Sequence, residues 1–318
     1  MTTAELAIET RGLTKRFGGY AAVKDIDLSV PHGSVFGFLG PNGSGKTTTI
    51  RMLLGLASPT SGEARVLGAS MPRDNASVLP RVGALVEGPG FYPYLSGADN
   101  LHRFDSADRY APSRTRGARV VDALERVGLS AAAGKKVKAY SLGMKQRLGI
   151  ANALLTPREL LILDEPTNGL DPQGTREVRT LIRSLASQGT TIFVSSHLLA
   201  EIEQICTHAA VMSAGSLVAQ GTLDELRAVG RPRVRVVTPD APLASDVLQK
   251  LGMTVQPTAA EGSETEVVAV FGDTPAEPDA IVTALVKSRV RVRGFAVESP
   301  SLEDRFVSLT GEGFNVDH

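Results

Sequence analysis

Residues 40–47 read Gly-Pro-Asn-Gly-Ser-Gly-Lys-Thr and match the phosphate-binding pattern G-x-x-x-x-G-K-[ST]. An apolar run at residues 35–39 precedes them, and a helical apolar pattern with Ile50 and Leu53 follows. Glycines let such a loop turn sharply and bring backbone N–H groups close to phosphate oxygens. The helix that follows directs its free N–H groups and positive dipole end at the same oxygens. The sequence therefore predicts a nucleotide site in this loop.

The polar residues of the loop each have a chemical use. Lys46 supplies a cation for the β- and γ-phosphates, and the hydroxyl of Thr47 is placed to bind Mg²⁺. The residues predicted to contact the nucleotide in this stretch are Gly40, Pro41, Asn42, Gly43, Ser44, Gly45, Lys46, Thr47 and Thr48.

A second set of polar residues follows buried strand patterns. Residues 160–163 form a continuous apolar run, as expected for a parallel strand buried on both faces, and the run ends in Asp164 and Glu165. Asp164 can hold Mg²⁺ directly or through water. Glu165 can orient and polarise an attacking water. Another apolar run, residues 191–194, ends shortly before His197.

Composition limits the class of protein. The 318 residues exceed the usual size of a single hydrophobic core, which predicts two domains. The formal net charge is zero, so we expect no nucleic-acid partner bound by bulk charge. A single cysteine, Cys206, excludes an intrachain disulfide and fits a reducing compartment. The first ten residues lack the apolar segment of a signal peptide. No apolar stretch approaches the roughly 18 residues of a membrane span, so any channel must come from another polypeptide.

The order of patterns along the chain predicts its architecture. Strand patterns alternate with helical patterns, which implies a mostly parallel sheet whose chemistry lies at the carboxyl ends of its strands. Short strands are predicted at residues 6–11 and 26–30. An inserted helical subdomain is predicted over about 88–155. One helical face in that insert is predicted to carry Val120, Val121, Leu124 and Val127.

The pattern changes after about residue 226. Alternating and helical patterns follow in the order β-α-β-β-α-β, at residues 233–237, 243–251, 254–257, 266–271, 276–287 and 290–297. This order suggests a small ferredoxin-like unit. Residues 301–311 predict a terminal docking helix. The predicted domains are therefore residues 1–226 and 227–318.

Two further stretches connect these motifs to a family. Residues 140–147 read Tyr-Ser-Leu-Gly-Met-Lys-Gln-Arg, and residues 164–171 read Asp-Glu-Pro-Thr-Asn-Gly-Leu-Asp. Together with residues 40–47 and His197, they resemble the ATP-binding subunits of ABC transporters. The resemblance covers roughly residues 6–226.

The resemblance implies how the site is assembled. The family signature is Leu-Ser-Gly-Gly-Gln, which Ser141 and Gly143 match while three positions depart. In such proteins two nucleotide domains pack head to tail, with ATP between the P-loop of one and the signature of the other. Ser141 and Gly143 would then act in trans, and Asp171 would link the two sites. His197 would contact the γ-phosphate and hold the water in line with Glu165.

The resemblance also implies contacts at both ends of the nucleotide. Phe17 stands where the family stacks an aromatic ring on adenine, with Tyr20 as the alternative. Glu87 stands where the family usually has a glutamine that senses Mg²⁺ and the γ-phosphate. Residues 82–95 look like the bacitracin and lantibiotic exporter branch, where glutamate is common. Because glutamate can bind Mg²⁺ but repels a triphosphate, we predict a stricter Mg²⁺ dependence than in a Glu87→Gln variant. Beside the groove that receives a permease helix in this family, the chain has Phe91, Tyr92 and Tyr94.

The predicted fold is α/β: a P-loop NTPase of ABC type, with a mostly parallel sheet, N-terminal antiparallel strands, a helical insert and a small α+β C-terminal domain. The resemblance implies an ATPase with ATP and Mg²⁺ as cofactors, in an ATP-dependent homodimer or a heterodimer with a paralogue. It would power a separate integral membrane permease at the cytoplasmic face, exporting antibiotics, peptides or other small molecules. The predicted catalytic residues are Glu165, His197 and Lys46, and the predicted metal ligands are Thr47, Glu87 and Asp164.

Two alternatives remain at this stage. One is a soluble ABC-type regulator that acts on ribosomes or DNA. The other is a weakly hydrolysing ATP sensor that confers immunity by binding a partner, which the altered signature suggests. A single P-loop and the lack of sustained heptads between P-loop and signature favour the transport subunit.

Overall fold

The computed structural model describes residues 5–86, 90–228, 232–256, 260–261, 264–272 and 277–298. The chain divides into two compact units, one that runs to Leu223 and one that begins at Asp224. The predicted terminal helix at residues 301–311 and the predicted metal ligand Glu87 lie outside the described residues.

The first unit contains two sheets with helices. Its elements in chain order are β1 (Leu6–Phe17), β2 (Tyr20–Ile26), β3 (Ser29–Pro31), β4 (Val35–Leu39), α1 (Lys46–Leu53), β5 (Ser61–Val66), β6 (Ala69–Met71), α2 (Asn75–Val78), β7 (Val82–Leu85), α3 (Gly97–Ala107), α4 (Arg116–Arg126), α5 (Leu142–Ala153), β8 (Leu160–Asp164), α6 (Pro172–Ser187), β9 (Thr191–Ser196), α7 (Leu199–Ile205), β10 (His208–Ser213) and β11 (Ser216–Thr222). Helix α8 (Leu223–Ala228) follows at the division between the units.

The larger sheet places the polar motifs at one edge. Its order is β11-β10-β4-β9-β8-β7, and every pairing except β10 with β11 is parallel. Strands β4 and β9 are buried at every residue, as expected for central parallel strands. Leu39 pairs with Ser196, and Asp164 pairs with Ser195, so β4, β9 and β8 end level with one another. The loops that leave these three strands therefore begin side by side.

The smaller sheet is antiparallel, in the order β2-β1-β5-β6 with β3 paired to β1. The prediction of one strand over residues 26–30 is wrong, because β2 ends before β3 begins. The side chain of Thr10 accounts for the break. Its hydroxyl donates to the carbonyl of Ile26 and accepts the N–H of Leu28, so these backbone groups bond a side chain instead of a strand.

Two other sequence predictions need correction. Strand β1 runs beyond the predicted residues 6–11 to Phe17, with register shifts that let the long strand bend. Val121 does not share the buried face of α4: it is 63% exposed, whereas Val120 and Leu124 are buried. Adjacent helical residues point about 100° apart, so Val120 and Val121 cannot both face the core.

Helices α3, α4 and α5 make up the helical insert. Asp105 on α3 is fully buried and pairs with Arg116 and Arg119 of α4. Burial alone would raise the pKa of Asp105, but the hydrogen bonds from Arg119 and Arg116 outweigh it and lower the pKa. This carboxylate therefore joins two helices of the insert. No helix in the described part of the chain is long and apolar enough to cross a bilayer.

The second unit is an antiparallel sheet with two helices. Its elements are β12 (Arg233–Thr238), α9 (Ala241–Lys250), β13 (Thr254–Val255), β14 (Ala260–Glu261), β15 (Glu264–Val270), α10 (Pro278–Lys287) and β16 (Gly294–Glu298). The sheet order is β13-β15-β12-β16, with β14 paired to β15. Strand β16 is shorter than the predicted 290–297, since Arg289 adopts a φ of 63° and the N–H of Val290 bonds Leu285 to end α10.

Candidate nucleotide site

A cavity of about 380 Å³ lies over the loop at residues 40–47. Its size is within the range of small-molecule sites. The residues that line it are Phe17, Tyr20, Ala22, Asn42, Gly43, Gly45, Lys46, Thr47, Thr48, Glu165 and Asn168. The structure thus joins six of the predicted loop residues, the two aromatic candidates and Glu165 in one cavity, whereas its lining does not include Gly40, Pro41, Ser44, Asp164 or His197. Asn168 is an addition that sequence reasoning missed, although it lies within the recognised stretch 164–171.

The loop is fixed by its own chain. Gly45 precedes α1 with a φ of 105°, and a Cβ there would lie 2.5 Å from the carbonyl oxygen of Ala22. Neither the conformation nor the space admits another residue. The backbone N–H groups at the start of α1 are therefore held where an anion can reach them.

Lys46 is a buried cation at the cavity. The residue is 6% exposed, and its Nζ donates to the carbonyl oxygens of Gly40 at 2.7 Å and Pro41 at 3.3 Å. Its Nζ also lies 3.4 Å from Oε1 of Glu165. Burial lowers the pKa of Lys46, and the nearby Glu165 carboxylate opposes that shift. A polyphosphate that replaced Glu165 as the partner would supply the charge that this buried ammonium needs.

Asp164 is held by two hydroxyl groups. Its Oδ2 accepts from Oγ1 of Thr47 at 2.9 Å, and its Oδ1 accepts from Oγ of Ser195. The Ser195 hydroxyl also accepts the backbone N–H of Glu165 at 2.9 Å. Sequence reasoning assigned no role to Ser195, because no local pattern marks its contact with a carboxylate 31 positions away. The hydroxyl fixes the start of the loop that carries Glu165.

Glu165 and His197 are in direct contact. Oε2 of Glu165 lies 2.6 Å from Nδ1 of His197, while Oε1 faces Lys46. Glu165 adopts a φ of 48°, in the left-handed region that non-glycine residues seldom adopt. Both side chains keep some solvent access, at 20% and 27%. The carboxylate is thus placed at the cavity wall where it can accept a proton from water.

The residues present fit a magnesium nucleotide. Mg²⁺ prefers oxygen ligands and is usually held by one or two protein groups together with substrate phosphates. Thr47 and Asp164 provide two such oxygens at hydrogen-bonding distance from each other. The hydroxyl of Ser44, in the loop itself, is buried and has no hydrogen-bond partner among the residues that the structure describes. Within the described ranges, no group of three or more His, Cys, Asp or Glu side chains could hold a metal.

The signature residues lie elsewhere. Ser141 caps α5, and its hydroxyl accepts the N–H of Met144 at 3.2 Å. Asp171 likewise caps α6. Neither these residues nor Gly143 appear among the described residues that line the cavity. A Cβ on Gly143 would meet its nearest atom, on Leu170, at 3.7 Å, which is ordinary contact. The fold itself does not require glycine at this position.

Two exposed aromatic rings border the cavity. Phe17 is 55% exposed and Tyr20 is 62% exposed. Nζ of Lys15 lies 5.1 Å from the centroid of the Phe17 ring. An exposed ring at a nucleotide cavity can stack on a base, because every base offers a π-face.

Comparisons with known proteins identify the family of this chain. A family model described as ABC transporter matches residues 23–168. The chain is 39% identical over 316 residues to the bacitracin transport ATP-binding protein BcrA of Bacillus licheniformis, covering 96% of this chain and 98% of that protein. It is 35% identical over 306 residues to the daunorubicin/doxorubicin resistance ATP-binding protein DrrA of Streptomyces peucetius, covering 96% and 92%. Its fold is similar to that of a dimeric, post-hydrolysis ATP-binding cassette, MJ0796, bound to ADP and Pi, with a TM-score of 0.61, 23% identity and coverage of 68% and 98%.

The comparisons confirm the predicted fold class and family. The relatives match this chain along nearly its whole length and theirs, so the assignment covers both units. This chain therefore belongs to the ABC transporter family, in which it is an ATP-binding subunit that hydrolyses ATP and powers a separate membrane permease.

Proposed function

We propose that ATP is hydrolysed between two copies of this chain, with the P-loop of one copy facing Ser141 and Gly143 of the other. The observation that carries the proposal is the position of Gly143, which lies at a helix N-terminus, outside its own chain's cavity, with room for a side chain. A bare N–H at a helix N-terminus is a phosphate ligand. The MJ0796 cassette, which has the same fold, is dimeric. A heterodimer with a paralogous chain would use the same surfaces.

Nucleotide binding uses the cavity residues. Phe17 stacks on adenine, and Tyr20 is the alternative. The loop Gly40, Pro41, Asn42, Gly43, Ser44, Gly45, Lys46, Thr47 and Thr48 surrounds the phosphates. Thr47 and Asp164 would hold Mg²⁺, and Glu87 is a third proposed ligand. Mg²⁺ bound there would neutralise part of the phosphate charge.

Hydrolysis uses Glu165 and His197. Glu165 takes a proton from water, whose oxygen bonds the γ-phosphorus as the bond to ADP breaks. Its contact with His197 holds the carboxylate in orientation, and His197 also contacts the γ-phosphate. When ATP binds, Lys46 pairs with the phosphates instead of with Glu165. The Glu165 carboxylate is then free to act as a base. Asp171, the residue that caps α6, links the two sites of the dimer.

The transported molecule is an antibiotic, a peptide or another small molecule, and the direction is export. The names of the relatives support this proposal, since they refer to bacitracin transport and to daunorubicin/doxorubicin resistance. The subunit would lie at the cytoplasmic face of the membrane, beneath its permease. Tyr92 and Tyr94 are 47% and 71% exposed and are suited to that contact, whereas Phe91 packs edge-on against Phe104 at 5.7 Å.

A Glu165→Gln variant tests the proposal, because it should bind MgATP without hydrolysing it. We expect light scattering to show a dimer at micromolar concentration with MgATP and a monomer without nucleotide. Lys46→Ala, introduced together with Glu165→Gln, is the control and should stay monomeric because it lacks the phosphate-binding cation. A Glu165→Gln protein that binds MgATP and stays monomeric would contradict the proposal.

A further inference from the structure

Glu201 is a buried carboxylate that has no part in the proposed hydrolysis. It lies on α7, and the residue is 7% exposed. Burying a carboxylate is unfavourable unless hydrogen bonds and opposite charge compensate for the water that it loses. Its partners therefore indicate what it does.

The partners of Glu201 lie in the loop after β8, at the end of β9 where the next loop begins, and on α6. Its Oε2 accepts hydrogen bonds from Oγ1 of Thr167 at 2.6 Å and from Oγ of Ser196 at 2.9 Å. Its Oε1 lies 3.9 Å from Nη2 of Arg179 on α6. The Ser196 hydroxyl also accepts the N–H of Leu198 at 3.0 Å. This bond links the residues on either side of residue 197.

These loops carry the two residues proposed to act on water. Thr167 lies two residues after Glu165, and Ser196 directly precedes His197. The sheet aligns β8 with β9 only as far as the pair formed by Asp164 and Ser195. Beyond that pair β8 gives way to the loop that carries Thr167, while Ser196 still pairs with Leu39 of β4. Oε2 of Glu201 is the point where both hydroxyls meet.

We propose that Glu201 is a positioning residue that fixes the 2.6 Å contact between Glu165 and His197 by tying Thr167 to Ser196. The inference rests on the proposed roles of Glu165 and His197. Misplacement of a reacting group by about 1 Å can cost a hundredfold in rate, so a link of this kind affects turnover. It leaves the P-loop untouched, so it does not affect ATP binding.

Three variants separate the hydrogen bonds from the charge. In Glu201→Leu no acceptor remains, and we expect kcat to fall about tenfold with KM for ATP changed less than twofold. In Glu201→Gln the amide oxygen can accept both hydroxyls, because both now donate to a single oxygen, so kcat should stay within about threefold. Thr167→Val removes one donor at nearly constant shape and should lower kcat about fivefold. It serves as the main variant if Glu201→Leu does not fold.

Coupling to His197 gives the decisive readout. Single-turnover hydrolysis of MgATP would be measured for Thr167→Val and Glu201→Leu, with and without His197→Ala. We expect each to lose nearly all of its effect when His197 is absent, since there is no longer an imidazole to position. Asp105→Asn is the matched control, because it alters a buried carboxylate that joins helices elsewhere. Any effect of Asp105→Asn on the rate should therefore multiply unchanged with that of His197→Ala.

The results distinguish three failures. Effects of Glu201→Leu and Thr167→Val that multiply unchanged with that of His197→Ala would overturn the positioning role. Equal losses in Glu201→Gln and Glu201→Leu would overturn the hydrogen-bonding link, because only charge would then matter. Failure of the underlying proposal has a separate signature, since Glu165→Gln would then hydrolyse ATP at the wild-type rate.

Discussion

Two glycine-bearing helix N-termini in the first unit differ in what their own chain requires of them. At the start of α1, Gly45 has a φ of 105° and no room for a side chain, and Lys46 is bound on several sides. At the start of α5, Gly143 has room for a Cβ, and Ser141 does no more than cap its own helix. The first glycine serves the loop of its own chain. The second is explained by something outside the chain, which we propose to be the nucleotide held by another copy.

Of the substitutions at these two helix N-termini, Gly45→Ala should have the largest effect on stability and on ATP binding. A side chain at this φ costs about 1–3 kcal/mol, and the approach of the Ala22 carbonyl adds to that. We expect a melting temperature several degrees lower, at roughly 2–4 °C per kcal/mol for a chain of this size, and loss of ATP binding in calorimetry.

The control for Gly45 is Gly68→Ala, at a similar φ of 81° but in open space. It should lower the melting temperature less and leave ATP binding intact. Equal losses of ATP binding in both variants would show that the close approach to Ala22 has no special role.

Gly143→Ala should leave the fold intact and impair only turnover. The melting temperature should stay within about 1 °C, because the added methyl group meets no atom closer than 3.7 Å. We expect ATP binding to the monomer to be unchanged and kcat to fall about tenfold, as a methyl group would obstruct a phosphate at the interface.

The matched control for Gly143 is Gly117→Ala on α4, where a Cβ would also meet open space. That variant should hydrolyse ATP at the wild-type rate. Wild-type kcat in Gly143→Ala would mean that this glycine does not face a phosphate.

The smallest expected effect concerns an ion pair within the second unit, between Asp240 and Arg291, which needs no partner chain. Asp240 accepts side-chain and backbone hydrogen bonds from Arg291, which lower its pKa to about 2. Because the folded pKa lies below the ordinary 3.8, the pair stabilises the unit above that value and loses its contribution as pH falls from 3.8 towards 2.

An NMR titration of the carboxyl groups measures this directly. At pH 3 the Asp240 carboxyl should still be largely ionised in the wild type and largely protonated in Arg291→Ala. A midpoint near 3.8 in the wild type would show that the pair does not bind in solution. The contrast with the first unit would then be sharper, since only buried charges would be tied in place.

Motifs at the ends of parallel strands were predictable from sequence. The loop at residues 40–47, Glu165 and His197 follow three buried strands, and parallel strands bring such ends to one edge. Local rules also placed the cap at Ser141.

The residues that the sequence missed act over longer separations. Ser195 holds Glu165 from 30 positions away, and Glu201 holds Thr167 from 34. No local pattern marks a hydroxyl that will meet a distant carboxylate, because the pairing depends on sheet register and on how α7 packs. The break at residues 26–30 was missed for the same reason, since it depends on the side chain of Thr10.

The central claim is that one active site needs the P-loop of one copy and the signature helix of another. Mixing purified Lys46→Ala with Gly143→Glu, each inactive alone, tests it most directly. In mixed dimers one of two sites combines an intact P-loop with an intact signature, so the mixture should hydrolyse ATP well above the sum of the separate proteins and at no more than about half the wild-type rate. A mixture that hydrolyses no more ATP than the separate proteins would contradict the account.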